Sequence, residues 1–272
     1  MSDYRTSYCG LWGMALAAVI LAGLFFSAVV AAQLTSDGAG QRILGRAVAV
    51  ITEIDATLPD IQADLQEAAE GSTAAEVRVP NFPIPIDLPR DEALQMEAAV
   101  LRARLLDEAA ARLYDDGMSV WAEGDPEADQ AISRISSTGA LRGGLGLIRD
   151  SSHTFFLLAA IVLGLLAAVP VILLTFSLRS YARLVALGVV VLAAALPSLA
   201  LAIALRYGIR TVEDEGDPFV TGLVSLADDA LWVPVRDYLA LTALGLAVIA
   251  VGVLALLWPG RAEGEADRFR SA

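Results

Sequence analysis

The chain has 272 residues, 56% of them hydrophobic, with a mean hydropathy of +0.61, which excludes an ordinary soluble globule. Its 19 basic residues are all arginine and face 32 acidic ones, leaving a net charge of −13 that argues against nucleic acid as a partner. One cysteine (Cys9) and one histidine (His153) exclude an intrachain disulfide framework, a Cys/His zinc cage and a bis-histidine haem.

Residues 1–10 lead into Leu11 to Ala32, the first of four stretches with no charged side chain. At ~1.5 Å per helical residue this run reaches roughly 33 Å, enough to cross a hydrocarbon core of ~30 Å. A backbone in lipid must satisfy its own N–H and C=O groups, which selects a helix, and a run apolar on every face is not a barrel strand. The small residues of Ser27 to Gln33 offer a signal peptidase a site after Ala32. The apolar run is about twice a usual signal core, however, and only Arg5 precedes it, so residues 11–32 are expected to be retained as a span.

Residues 33–153 read as a mostly helical domain. Apolar side chains at Ala47, Ile51, Ile54, Leu58, Ile61, Leu65 and Ala68 follow heptad spacing, with Glu53, Asp60, Asp64, Glu67 and Glu70 on the opposite face. Pro59 cannot donate to the Asp55 carbonyl and biases Leu58 away from helix, so two helices, or one bent at that point, are expected. The apolar seam is either covered within the domain or used for self-association. Next comes VRVPNFPIPIDLPR, in which Pro80, Pro83, Pro85 and Pro89 alternate with Phe82, Ile84, Ile86 and Leu88 and enforce an extended chain. It is either a strap across its own helices or a docking segment for a partner or a neighbouring copy. A second helix is expected from about Asp91 to Asp115, stopped by Gly117, and a third from the Asp125 cap and Pro126 to near Gly139.

The second and third spans, residues 154–177 and 184–205, flank a short connection at 178–183, and Pro170 and Pro197 should kink them. Residues 206–237 then carry an amphipathic helix that starts at Asp217 and Pro218, repeats Phe219, Leu223, Leu226, Ala230 and Leu231 on one face, and ends at Trp232 and Pro234. The fourth span is residues 238–258, and 259–272 form a tail. The fold class expected is therefore an all-α integral membrane protein with four transmembrane helices and a helical extracytoplasmic domain between the first two.

Orientation follows from arginine in the short connections. Arg179, Arg183 and Arg261 put 178–183 and the tail in the cytoplasm. The 206–237 loop, with three arginines against seven acids, falls outside. Both termini are then cytoplasmic. Trp12, Tyr181 and Trp258 would form the inner aromatic belt and Tyr207, Trp232 and Tyr238 the outer one. Small residues at four-residue spacing (Ala18 and Ala22; Ala160, Gly164 and Ala168; Ala194, Ser198 and Ala202; Ala243 and Ala247) let helix backbones approach, within one bundle or between copies.

Chemistry is sparse. Consecutive Asp150, Ser151, Ser152 and His153 cannot supply triad geometry. Asp125, Glu127 and Asp129 start like a calcium loop, but Gln130 and Ser136 stand where Gly and a bidentate Glu are needed. The Glu213 to Asp217 acids read as a solvated run. RGGLG at Arg142 to Gly146 lacks the spacing and lysine of a phosphate loop, and Cys9 has little context for lipidation. No catalytic, cofactor or metal residue is assigned. The function expected is a non-enzymatic, oligomeric scaffold or accessory subunit of a membrane assembly, whose partners are membrane lipids and a second copy or another membrane protein. The alternative is a subunit of an oligomeric channel or transporter, although spans without an ionisable side chain do not favour ion coupling. Arginine-only basicity and abundant alanine point to a prokaryotic chain in the plasma membrane.

Overall fold

In the computed structural model, residues 3–117, 119–122, 146–178, 181–211 and 218–257 are described. They form helices α1 (Asp3–Leu34), α2 (Asp37–Ile51) and α3 (Ile54–Gly71), strands β1 (Glu76–Arg78) and β2 (Asp87–Pro89), and helices α4 (Arg90–Gln95), α5 (Ala98–Asp116) and α6 (Ser119–Ala122). Three long helices follow: α7 (Asp150–Ser177), α8 (Ala182–Arg210) and α9 (Pro218–Leu257). Four helices are long and apolar enough to cross a membrane, over Trp12–Leu34, Asp150–Ser177, Ala182–Arg210 and Val220–Leu257. The described residues are thus mostly helical with four candidate spans, and α2, the element after the first of them, is not one.

By internal contacts the chain divides into a membrane unit, drawn from Met1–Val30, Leu157–Leu205 and Trp232–Ala272, and a helical unit, drawn from Ala31–Phe156 and Arg206–Leu231. In the membrane unit Ala18 and Ala22 of α1, Leu174 of α7 and Val190 and Ala194 of α8 are buried together, while large apolar side chains such as Leu165, Phe176 and Leu254 point outward. That inversion suits a bilayer, which solvates leucine as well as a core does. Gly188 of α8 lies so close to α9 that a methyl group on it would come within 2.7 Å of the Gly245 carbonyl oxygen and 2.6 Å of Ile249 Cγ1. The stripes Ala18/Ala22, Ala160 and Ala194/Ala202 are buried within the bundle, but Ala243 and Ala247 are exposed. The small residues α9 uses for packing are Gly245 and Gly252 instead, the latter against Val185.

Several expected boundaries shift. The amphipathic helix of the 206–237 loop does not end at Trp232 and Pro234: α9 runs unbroken from Pro218 to Leu257. Pro234 removes one backbone hydrogen bond, but Pro234, Val235 and Tyr238 are all buried, and that packing keeps the helix going across the gap. α7 and α8 likewise continue through Pro170, which is buried, and Pro197, which is exposed. Tyr238 leaves the outer aromatic belt assigned to it; it is buried, its hydroxyl 3.2 Å from Ser27 Oγ. Trp12, Tyr207 and Trp232 are exposed as a belt requires. Arg179, Arg261, Trp258, the helix from Asp125 to Gly139 and the Glu213 to Asp217 run lie outside the described residues.

The helical unit has its own core. Leu44 and Val48 of α2, Ile54, Leu58, Ile61 and Leu65 of α3, and Leu101, Leu105 and Leu113 of α5 are buried together. The heptad seam is therefore covered within the unit and is not a free coiled-coil surface. The break comes at Thr52 and Glu53, not at Pro59; Glu53 is left-handed, with φ 46° and ψ 42°, and restarts the chain as α3. A break there puts Pro59 about one turn into a new helix, where its missing N–H leaves only the carbonyl of exposed Asp55 unpaired.

The proline-rich segment folds back as a hairpin, with Val77 opposite Leu88 and Arg78 opposite Asp87. The prolines keep the chain extended but do not prevent this short ladder, whose next bond runs from Val79 N–H to the Ile86 carbonyl at 2.9 Å. Phe82, Ile84, Ile86 and Leu88 all enter the core. The segment is a strap on its own helices. Asn81 Nδ2 donates to Asp64 at 2.7 Å, and an Arg112 guanidinium N–H donates to the Pro85 carbonyl, fixing it at both ends. The single helix expected from Asp91 to Asp115 is interrupted at Met96 and Glu97, where the Met96 carbonyl accepts from Gln62 Nε2 at 3.1 Å; the stop at Gly117 is found, with φ 76°.

The end of α1 is fastened inside the helical unit. Tyr114 hydroxyl donates to the Thr35 carbonyl at 2.8 Å, and His153 Nδ1 to the Ala32 carbonyl at 2.9 Å. These side chains satisfy carbonyls that a helix end leaves open. Burial holds the Tyr114 phenol above its ordinary value, and the carboxylates of Asp150, Asp37 and Asp115 push the same way.

Candidate functional site: a charged cleft in the helical unit

Arg46, Ala49 and Val50 lie on one side of α2 with Glu53 at the break just after it, and Gly222, Ser225, Leu226 and Asp229 fall at helical spacing on α9. The two faces meet. Arg46 pairs with Asp229, and Gly222 admits Val50 so closely that an added methyl would lie 2.9 Å from its Cγ1. Past this closure the faces part around a cleft of about 550 Å³, completed by Asp55 and Ala56 at the start of α3 and by Arg102 of α5. Its floor is short and apolar, and its rim bears both signs of charge.

The rim is partly committed. Arg102 grips Asp55 with two bonds, Nε to Oδ1 at 2.6 Å and Nη2 to Oδ2 at 3.2 Å. Arg46 gives one Nη1 donor to Asp229. Glu53 carries its carboxylate at the cleft with no partner among the described residues. A second ion-pair group lies nearby in the chain: Arg206 (2.6 and 2.8 Å) and Arg210 (2.9 and 2.9 Å) both chelate Asp228, joining the end of α8 to the start of α9.

The Arg102 hydrogen bond holds the Asp55 carboxyl below its usual range, with the guanidinium charge assisting and partial burial opposing. A depressed carboxyl contributes stability that is present above its unfolded value, near pH 4, and is lost as pH falls through the folded one. Because the Asp55 side chain is 74% exposed, screening holds the effect to about 0.2–1 kcal/mol. We expect the native chain to melt higher than Asp55→Asn at pH 7 and the gap to close below about pH 4. A gap unchanged from pH 7 to 3 would mean the pair does not link α3 to α5.

The sets weighed from sequence do not assemble. Asp150, Ser151, Ser152 and His153 form the first turn of α7, and the His153 Nδ1 proton is engaged by Ala32. The Asp125–Ser136 segment and most of RGGLG lie outside the described residues, and among those described no group of three or more His, Cys, Asp or Glu is placed to hold a metal ion. No sequence pattern points to the cleft; Glu53, expected on the charged face, is exposed as that face requires. In the membrane unit Asp237, at the point where α9 turns wholly apolar, has a buried Oδ2 without a hydrogen-bond partner, while Oδ1 lies 3.3 Å from Arg236 Nε. No protein family, no curated protein and no solved structure matches the chain.

Proposed function

We propose that the chain is a non-enzymatic integral protein of the plasma membrane with both termini cytoplasmic, whose helical unit stands outside and serves as a scaffold or accessory subunit of a membrane assembly. One observation carries this reading. Four apolar helices belong to the same chain as a separately cored helical body whose exposed side chains mix charged, polar and small residues, an arrangement suited to presenting a recognition surface at a membrane. The outside placement rests on the arginines at the 178–183 end of α8, Arg179 and Arg183 in the sequence, and on the acids of the other short connection. Because the apolar seam and the strap are used internally, contact with a second copy or another membrane protein would fall to polar surface and lipid-facing helices. Purification in mild detergent followed by native mass measurement is expected to return an oligomer or a stoichiometric partner. A strict monomer that copurifies with nothing would remove the proposal, and cysteine labelling of residues 33–153 from the cytoplasmic side would remove the orientation.

A channel or transporter subunit is the second reading, and Asp237 favours it, because a carboxylate oxygen buried at the edge of an apolar bundle is costly without a role. Ion flux in proteoliposomes that Asp237→Asn abolishes would replace the first reading with this one.

A further inference from the structure

We infer that the cleft of the helical unit binds a small zwitterion, one ammonium and one carboxylate or phosphodiester carried on a short apolar body. The inference goes beyond the assembly role and does not depend on it. The volume of about 550 Å³ falls in the range of small-molecule sites. Its charged groups are only half used. A guanidinium has five N–H donors in a planar fork; Arg102 spends its Nε edge on Asp55 and Arg46 spends one Nη1 bond on Asp229, so each retains donors for an anion. Glu53 supplies the opposite need, a carboxylate with all its acceptor positions open.

The mixture of charges selects the ligand class. Arg46 and Arg102 stand among Glu53 and Asp55, with Asp229 on Arg46 at the edge, so an anion alone meets carboxylates and a cation alone meets guanidiniums. A zwitterion answers both. Ala49, Val50, Ala56 and Leu226 leave a floor for an aliphatic body of a few carbons. The backbone supports the assignment, since Glu53 is one of only two non-glycine residues with positive φ among those described. A left-handed glutamate is unfavourable by itself, and here the side chain so held is the cleft's uncommitted carboxylate.

The ligand chemistry has two sources, a free amino acid and an ethanolamine-phosphate lipid headgroup. The test is titration calorimetry on the full chain with L-leucine and with glycerophosphoethanolamine, whose phosphodiester carries the single negative charge of the lipid headgroup, using isovalerate and isoamylamine as single-charge controls. We expect at least one zwitterion to bind and both controls to fail. Glu53→Gln should weaken binding roughly tenfold or more. Glu53→Gly should abolish it while melting no lower than the native chain, because glycine accepts the left-handed conformation, so loss of binding is not mistaken for loss of fold. Repeating the titration in nanodiscs with and without phosphatidylethanolamine separates the sources: competition by the lipid assigns the headgroup, and unchanged L-leucine binding assigns the free amino acid. Silence from both zwitterions, equal binding of a control, or binding indifferent to Glu53→Gln overturns the inference, and none of these results bears on the oligomeric state.

Discussion

Gly188→Ala is expected to destabilise the membrane unit by about 1–3 kcal/mol, at the upper end of that range. The added methyl would sit 2.7 Å from the Gly245 carbonyl oxygen and 3.0 Å from the Ile249 backbone nitrogen, so no side-chain rotation relieves the clash and α8 must move away from α9. Separation is expensive in lipid, where close packing rather than apolar burial holds helices together. A control is available in the same helix: Gly208 has nothing within 4 Å of an added methyl. There alanine brings only its better helix propensity and should stabilise by about 0.5–1 kcal/mol. Unfolding of both variants by SDS titration from mild detergent should give shifts of opposite sign. If Gly188→Ala proves as harmless as Gly208→Ala, the α8–α9 contact is wrong.

How far the fold could be read in advance differs between the two units, for a physical reason. Apolar runs reveal lipid exposure directly, so all four spans were legible, but absence of charge marks where hydrocarbon ends and not where a helix ends. α8 continues past Leu205 to Arg210 because Arg206 and Arg210 meet Asp228, and paired charges can stay on a helix after it leaves the apolar layer. α9 passes through Pro234, and that residue and Val235 are buried. In the helical unit the seam from Ala47 to Leu65 was visible as periodicity, whereas the break at Thr52 and Glu53 was not, since a left-handed glutamate is a tertiary outcome that local preference opposes. The cleft was hidden for a related reason. Arg46, Glu53, Arg102 and Gly222 come from segments up to 176 residues apart (222 − 46), and no local pattern records that they face one another. Asp237 stands one residue outside the charge-free run and counts in sequence as one of the seven acids of the outer loop, while the structure places its Oδ2 out of solvent.

The proline-rich segment is where one prediction separates two roles. Ile86 and Ile84 are each fully buried, at 0% exposure, in the core formed by α2, α3 and α5. Ile86→Ala removes three carbons from that core, and the hairpin cannot simply collapse onto the space, because Val79 N–H bonds the Ile86 carbonyl and Arg112 holds the Pro85 carbonyl. Transfer and cavity terms together place the cost at about 2–5 kcal/mol. It should appear as faster amide hydrogen exchange in the most protected turns of α3 and α5 of the full chain, where the slowest amides report opening of the whole unit. Val100→Ala, at a side chain 54% exposed in the same unit, should change exchange by no more than about 0.5 kcal/mol. A docking segment would behave in the opposite way: Ile86→Ala would leave α3 and α5 as protected as before and weaken only the capture of a partner. The alternation at Phe82, Ile84, Ile86 and Leu88 decides between these outcomes, since the face it buries is already filled by the unit's own helices.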